Sequence, residues 1–239
     1  TLVKSSAASD VYKRQSLLHD IFVVVLKIPN VFRRFFAEGA FSQAFIPVYN
    51  EYEEHKTAAE TKEFINNLSG TLLTFLFGFT LLALFLAPIF ILLFAPGFYF
   101  DPLKKDIAVD VLRIMFPYLG LISLVAFAGG IQNSHKKFSL PAATPVVFNL
   151  CIILSAFFLA PIFSVPIFGL AWGVLLAGII QLLIQLAPLK QIDRLPIPRL
   201  DFNNQGVKKV FFLMLPALLA GGVAQINLLI DTIFASLLI

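Results

Sequence analysis

A helix needs about 20 consecutive apolar residues to cross the hydrocarbon of a bilayer. Six stretches of this sequence satisfy that length: residues 17–49, 67–95, 109–132, 143–163, 166–188 and 208–239. Nothing constrains the fold more. A spanning segment must satisfy its own backbone hydrogen bonds, so each stretch is expected to be helical. The composition agrees: 59% of the 239 residues are hydrophobic, 27 are Phe and only 13% are charged, whereas an ordinary soluble domain carries about 25% charge. A globule of this size could not hide so much apolar surface. An ordinary soluble enzyme, a disordered tail and a disulfide scaffold are therefore excluded. The fold class is all-α, a polytopic membrane helix bundle. The single cysteine, Cys151, lies in an apolar run and reads as a packing residue.

The connecting segments set a direction. Spans four and five are separated only by a short apolar turn around Pro161, Ser164 and Pro166, which predicts a tight helical hairpin. The odd-numbered loops hold Lys56, Lys62, Lys136, Lys137 and the cluster Lys190, Arg194, Arg199, Lys208 and Lys209, whereas the even-numbered loops hold only Lys104 and Lys105. The positive-inside rule then places the odd loops in the cytoplasm, with the first span entering from outside. The net charge of +4 is accordingly read as loop Lys and Arg facing anionic lipid rather than nucleic acid. An outside start with no signal sequence implies a helix upstream. The sequence lacks an initiator Met and stops within the apolar pattern of Thr232 to Ile239, so a fragment is expected. Residues 1–15 (Thr1 to Gln15) are polar and basic, join abruptly to the apolar run and read as an artefactual prefix; residues 16–239 form the membrane unit.

The first span carries the chemistry. Asp20, Lys27, Arg33, Arg34 and Glu38 lie among apolar neighbours. An ionisable side chain in a spanning helix costs about 2.5–3.5 kcal/mol on insertion scales and so usually faces protein or water. At about 100° per residue, Asp20, Lys27, Arg34 and Glu38 share a narrow stripe, with Arg33 to one side. Arg34 and Glu38 form an i, i+4 pair. Pro29 and Gly39 are expected to bend the helix. Pairing within a bundle is one reading. The other is a water-filled cationic cavity for an anionic substrate, for which the planar fork of arginine suits phosphate.

The run from Lys27 through Arg33-Arg34-Phe-Phe-Ala-Glu38-Gly39-Ala-Phe to Tyr49 closely resembles the second helix of the MurJ (MviN) lipid II flippases. Ala95-Pro96-Gly97-Phe98, Phe116-Pro117-Tyr118, Asn133 with Phe138-Ser139 and Pro141, Ala171-Trp172, and Asn227 through Asp231 to Ser236 follow in the family's order. The resemblance covers residues 18–239. It implies a MATE-like N-lobe fragment of the MOP superfamily, corresponding to helices two to seven of about fourteen. It also implies transport of the undecaprenyl-pyrophosphate-linked peptidoglycan precursor, lipid II, to the outer leaflet of the bacterial inner membrane, without enzymatic chemistry or a cofactor. Arg33 matches the family arginine implicated in the pyrophosphate site, and Arg34, Glu38 and Asp20 match positions on the same helix. Expected partners are lipid II, membrane lipids and proteins of cell-wall synthesis.

Other features have two readings each. Asn227 and Asp231 are i, i+4 neighbours in the sixth span and serve either ion coupling or an interhelical hydrogen bond. Gln181 and Gln185 pair similarly and read as helix glue. Gly129-Gly130 and Gly221-Gly222 allow close helix approach, and Pro88, Pro117 and Pro216 can bend helices. Leu195 to Gly206 reads as a flexible linker. His19, His55 and His135 lack ligand spacing, so no metal site is expected. The rival functions are a different MOP-type exporter, for O-antigen lipids or drugs, and a non-transporting cell-wall scaffold. An Arg-rich lining argues against a cation exporter.

Overall fold

The computed structural model describes the backbone of residues 2–34 and 39–238, with side chains at 17–34, 39–219 and 230–237. Among the described residues every regular element is a helix: α1 (Leu2–Arg33), α2 (Ala40–His55), α3 (Ala58–Phe85), α4 (Ala87–Phe94), α5 (Pro96–Tyr99), α6 (Pro102–Met115), α7 (Tyr118–Ser134), α8 (Ser139–Phe158), a 3-10 turn (Ala160–Ile162), α9 (Ile167–Gln191) and α10 (Gln205–Leu238). Among the described residues four stretches are long and apolar enough to cross a membrane: Ala58–Phe85, Pro102–Ser134, Ser139–Ile162 and Ile167–Gln191. α1 and α10 have 32 and 34 residues. The protein is thus a polytopic membrane bundle, and α8 and α9 form the expected hairpin, packed along their lengths.

The charged first span is described as two helices. α1 runs through Pro29 to Arg33, and α2 starts afresh at Ala40. A side chain at Gly39 would crowd the backbone here, because a Cβ there would lie 2.6 Å from the carbonyl oxygen of Arg34. The helical wheel that joined Asp20, Lys27, Arg34 and Glu38 therefore ends at Arg33, and Glu38 lies outside the described residues. The first loop is also shorter than expected. Helix continues to His55 and resumes at Ala58, where Thr57 and Glu60 form a capping box that satisfies two end donors reciprocally.

Two other spans are interrupted by proline. Pro88 sits at the start of α4, so the Leu84 carbonyl has no i+4 N–H to accept from. Arg113 of α6 supplies the missing donor, its Nε lying 3.3 Å from that oxygen. α6 begins on Asp101, whose carboxylate accepts from Leu103 N and Lys104 N, and Phe116-Pro117 separates it from α7.

Burial is concentrated in two aromatic centres. Phe32 of α1 meets Phe79, Phe90, Phe94 and Phe116, with ring centroids 5.5–6.1 Å apart. Phe45 of α2 packs on Phe41, Tyr49, Phe64 and Phe127. Large apolar side chains also cover the outside, Phe85 and Phe157 among them, as expected where the solvent is lipid.

The segment after α9 is pinned rather than free. Ile197 N donates to Asn66 Oδ1 at 2.8 Å and Arg199 N to Asn66 O at 3.1 Å. Gly70 allows this approach, since a Cβ there would stand 2.1 Å from Arg199 O. The expected flexible linker is therefore a strap laid along α3.

Candidate functional site

A cavity of about 510 Å³ opens between α1, α2, α7, α8 and α9, within the range of about 300–1,000 Å³ typical of ligand sites. Its shape follows from local sequence. Asn30 and Arg33 are three residues apart, so they share a face at the end of α1. On α7, Ile122, Ala126, Gly129, Gly130 and Asn133 follow helical spacing along the wall. Gly129 and Gly130 leave no side chain there. A Cβ on Gly130 would meet the Phe45 ring at 3.0 Å, and one on Gly129 would meet Pro141 at 3.5 Å. The glycine pair thus serves close approach and cavity space together.

The lining is polar but nearly uncharged. Ser42, Asn133, Thr144, Asn149, Gln181 and Gln185 join Asn30, and the one charged lining residue among those described is Arg33. Gln181 Nε2 donates to Thr144 O at 2.8 Å, Gln185 Nε2 to Thr144 Oγ1 at 3.3 Å, and Gln132 Nε2 to Gln185 Oε1. These bonds tie α7, α8 and α9 together, as expected of the α9 glutamines. Arginine presents only donors, so the chemistry available is anion binding at one place and neutral hydrogen bonding around it. Among the described residues no three His, Cys, Asp or Glu side chains converge as metal ligands.

Of the charged residues singled out on the first span, the structure brings Arg33 to the cavity wall, beside the Gln181, Gln185, Gly129 and Gly130 also marked in the sequence. Asp20 and Lys27 are half-buried on α1 without lining it, and Arg34 is exposed just beyond α1. Glu38 and the Asn227 side chain lie outside the described residues, while Asp231 is exposed on α10. The off-stripe arginine is thus the one that reaches the cavity.

A second polar cluster lies at the ends of α2 and α7. Glu53 accepts from Arg194 Nε at 2.7 Å and Nη2 at 3.2 Å, and from the Tyr49 hydroxyl at 2.6 Å. His135 Nε2 stands 2.9 Å from the Tyr49 oxygen. Burial disfavours the Glu53 carboxylate, but the hydrogen bonds from Arg194 and Tyr49 outweigh it and hold its pKa below the ordinary value. Lys62 pairs with Asp193 at 2.6 Å, and Lys209 pairs with Glu51. Sequence reasoning missed this cluster, because Glu53 and Arg194 are 141 positions apart.

Fold and site together define a polytopic helical membrane protein that encloses a polar cavity with a cation in its wall. The family described as lipid II flippase MurJ matches residues 15–239, and the chain belongs to that family. It is 42% identical over 223 residues to a probable lipid II flippase MurJ of Buchnera aphidicola, covering 93% of this chain and 44% of that protein. A probable lipid II flippase MurJ of Haemophilus influenzae is 41% identical, covering 92% and 44%. The lipid II flippase MurJ of Burkholderia cenocepacia is 40% identical, covering 91% and 43%. A solved structure of a lipid II flippase MurJ in an inward closed conformation superposes with a TM-score of 0.75 at 25% identity, covering 92% of this chain and 45% of that one. The chain thus spans a little under half the length of the curated relatives it matches.

Proposed function

We propose that this chain forms one lobe of a transporter that carries lipid II from the inner to the outer leaflet of the bacterial cytoplasmic membrane, with residues 16–239 as the functional unit. The observation that carries the reading is Arg33, the one charged residue among the described lining of a polar cavity enclosed by five helices. A pyrophosphate crossing a low-dielectric core needs a compensating charge, and a guanidinium donates two parallel hydrogen bonds to phosphate oxygens. Arg33 binds the pyrophosphate, the neutral amides surround the headgroup, and the lipid tail stays in the bilayer. Rocking against a second lobe then exposes the site outward by alternating access. No bond in the substrate is made or broken. A scaffold role gives no reason to keep a guanidinium in a cavity wall.

The test replaces the matching segment of the Haemophilus influenzae relative with residues 16–239 of this chain, in a bacterium depleted of its own lipid II flippase. Growth and surface-exposed lipid II are compared for the graft and its Arg33→Ala variant at matched expression. Rescue by the graft and not by R33A is expected. Rescue by both removes Arg33 from the substrate site, and a well-expressed graft that fails to rescue overturns the assignment of cargo.

A further inference from the structure

The amide cluster on α7, α8 and α9 is more than helix glue. Gln132, Gln181 and Gln185 are 1%, 3% and 1% exposed. Each primary amide presents N–H donors and a carbonyl acceptor. The donors are directed into helix contacts: Gln181 to Thr144 O, Gln185 to Thr144 Oγ1 and Gln132 to Gln185. The Gln185 carbonyl is used in this way, but Gln132 Oε1 and Gln181 Oε1 are buried with no hydrogen-bond partner, and of these two residues Gln181 is the one that lines the cavity. A buried acceptor left without a donor loses its hydration with no return. If glue were the whole role, a residue without the surplus acceptor would serve better. Gln181 belongs to the wall of the same cavity as Arg33.

We propose that Gln181 Oε1 is a specificity-determining acceptor, taking a hydrogen bond from a saccharide hydroxyl or N-acetyl N–H of the ligand. This rests on the reading of the chain as a lobe of a lipid II transporter. Arg33 and Gln181 are complementary filters. A guanidinium selects an anion, whereas a neutral, desolvated carbonyl repels one and requires a donor. Together they select a pyrophosphate that bears a sugar over a bare pyrophosphate on the same lipid. A site that hydrogen-bonds a substrate hydroxyl discriminates strongly against an analogue lacking it, because its polar group is then left unpaired.

The experiment titrates the detergent-solubilised graft with two probes, lipid II and undecaprenyl pyrophosphate, which share tail and pyrophosphate and differ in the saccharide. The graft is expected to prefer lipid II at least about tenfold, and Gln181→Leu to lose about tenfold on lipid II alone. Equal loss on both probes in Q181L overturns the proposal in favour of packing. So does unchanged lipid II affinity in Q181L. Equal binding of both probes by the unmutated graft overturns the proposal while leaving transport standing. Binding of neither overturns the transport reading and the subsite with it.

Discussion

Gly70 and Gly78 lie on the same helix, α3, and an alanine at each is expected to act in opposite directions. At Gly70 the new Cβ would stand 2.1 Å from Arg199 O and 2.6 Å from Arg199 C, both backbone atoms. The strap must retreat by about 1 Å or more to restore ordinary contact. Such a shift stretches Arg199 N to Asn66 O, now 3.1 Å, and Ile197 N to Asn66 Oδ1, now 2.8 Å, out of hydrogen-bonding range. Two lost hydrogen bonds at about 0.5–1.5 kcal/mol each add to overpacking of about 1–3 kcal/mol. The better helix propensity of alanine offsets about 1 kcal/mol. Gly70→Ala is therefore expected to destabilise the protein by about 1–5 kcal/mol. At Gly78 a Cβ meets nothing within 4 Å, so Gly78→Ala is expected to be neutral or to stabilise by up to about 1 kcal/mol. Thermal unfolding in one detergent measures both. Trypsin supplies a local readout, since cleavage after Arg194 and Arg199 should quicken in G70A alone. Equal shifts for the two variants, or a strap no more cleavable in G70A, would refute the reasoning.

The Glu53 cluster makes stability depend on pH. The folded pKa of Glu53 lies below its ordinary 4.5, so the contribution is complete above that value and disappears as the pH falls through the lowered one. Acid titration of unfolding should show this loss in the wild type and a flatter profile in Glu53→Gln. At neutral pH, Arg194→Ala is expected to cost about 1–3 kcal/mol by stranding the carboxylate, read as a lower unfolding temperature. Pro88 and Arg113 should couple. Arg113→Ala is expected to be milder in a Pro88→Ala background, where residue 88 supplies its own N–H to Leu84 O, with a double-mutant coupling of about 0.5–1.5 kcal/mol. A coupling of zero would show that Arg113 Nε does not stand in for the missing donor.

Much of the bundle was legible because lipid imposes long apolar runs, and the α8–α9 hairpin because only a short turn separates two of them. The breaks were less legible. Pro29 and Gly39 were both expected to bend the first span; α1 runs through Pro29 to Arg33, and the next described helix begins at Ala40, just after Gly39. The helical wheel grouped Arg34 with Lys27 and placed Arg33 to one side of that stripe, yet Arg33 is the one of the three in the cavity wall. Asn30 was within reach of sequence reasoning, three positions before Arg33. Asn149 and Ser42 were not, since a neutral polar residue in an apolar run has no periodic signature and gains meaning only when α2, α7, α8 and α9 converge. The Glu53–Arg194 pair likewise depends on where the strap returns.

One wall of the cavity is carried by the least embedded of the four candidate spans among the described residues. Only 6% of the spanning window of α8 is buried, yet Pro141, Thr144 and Asn149 line the cavity from its inner side, and the helix is tied to α9 through Thr144. Whatever surrounds α8, acyl chains or further protein, presses directly on the back of that wall. The width of the cavity is therefore set in part by whatever packs on the outer face of α8.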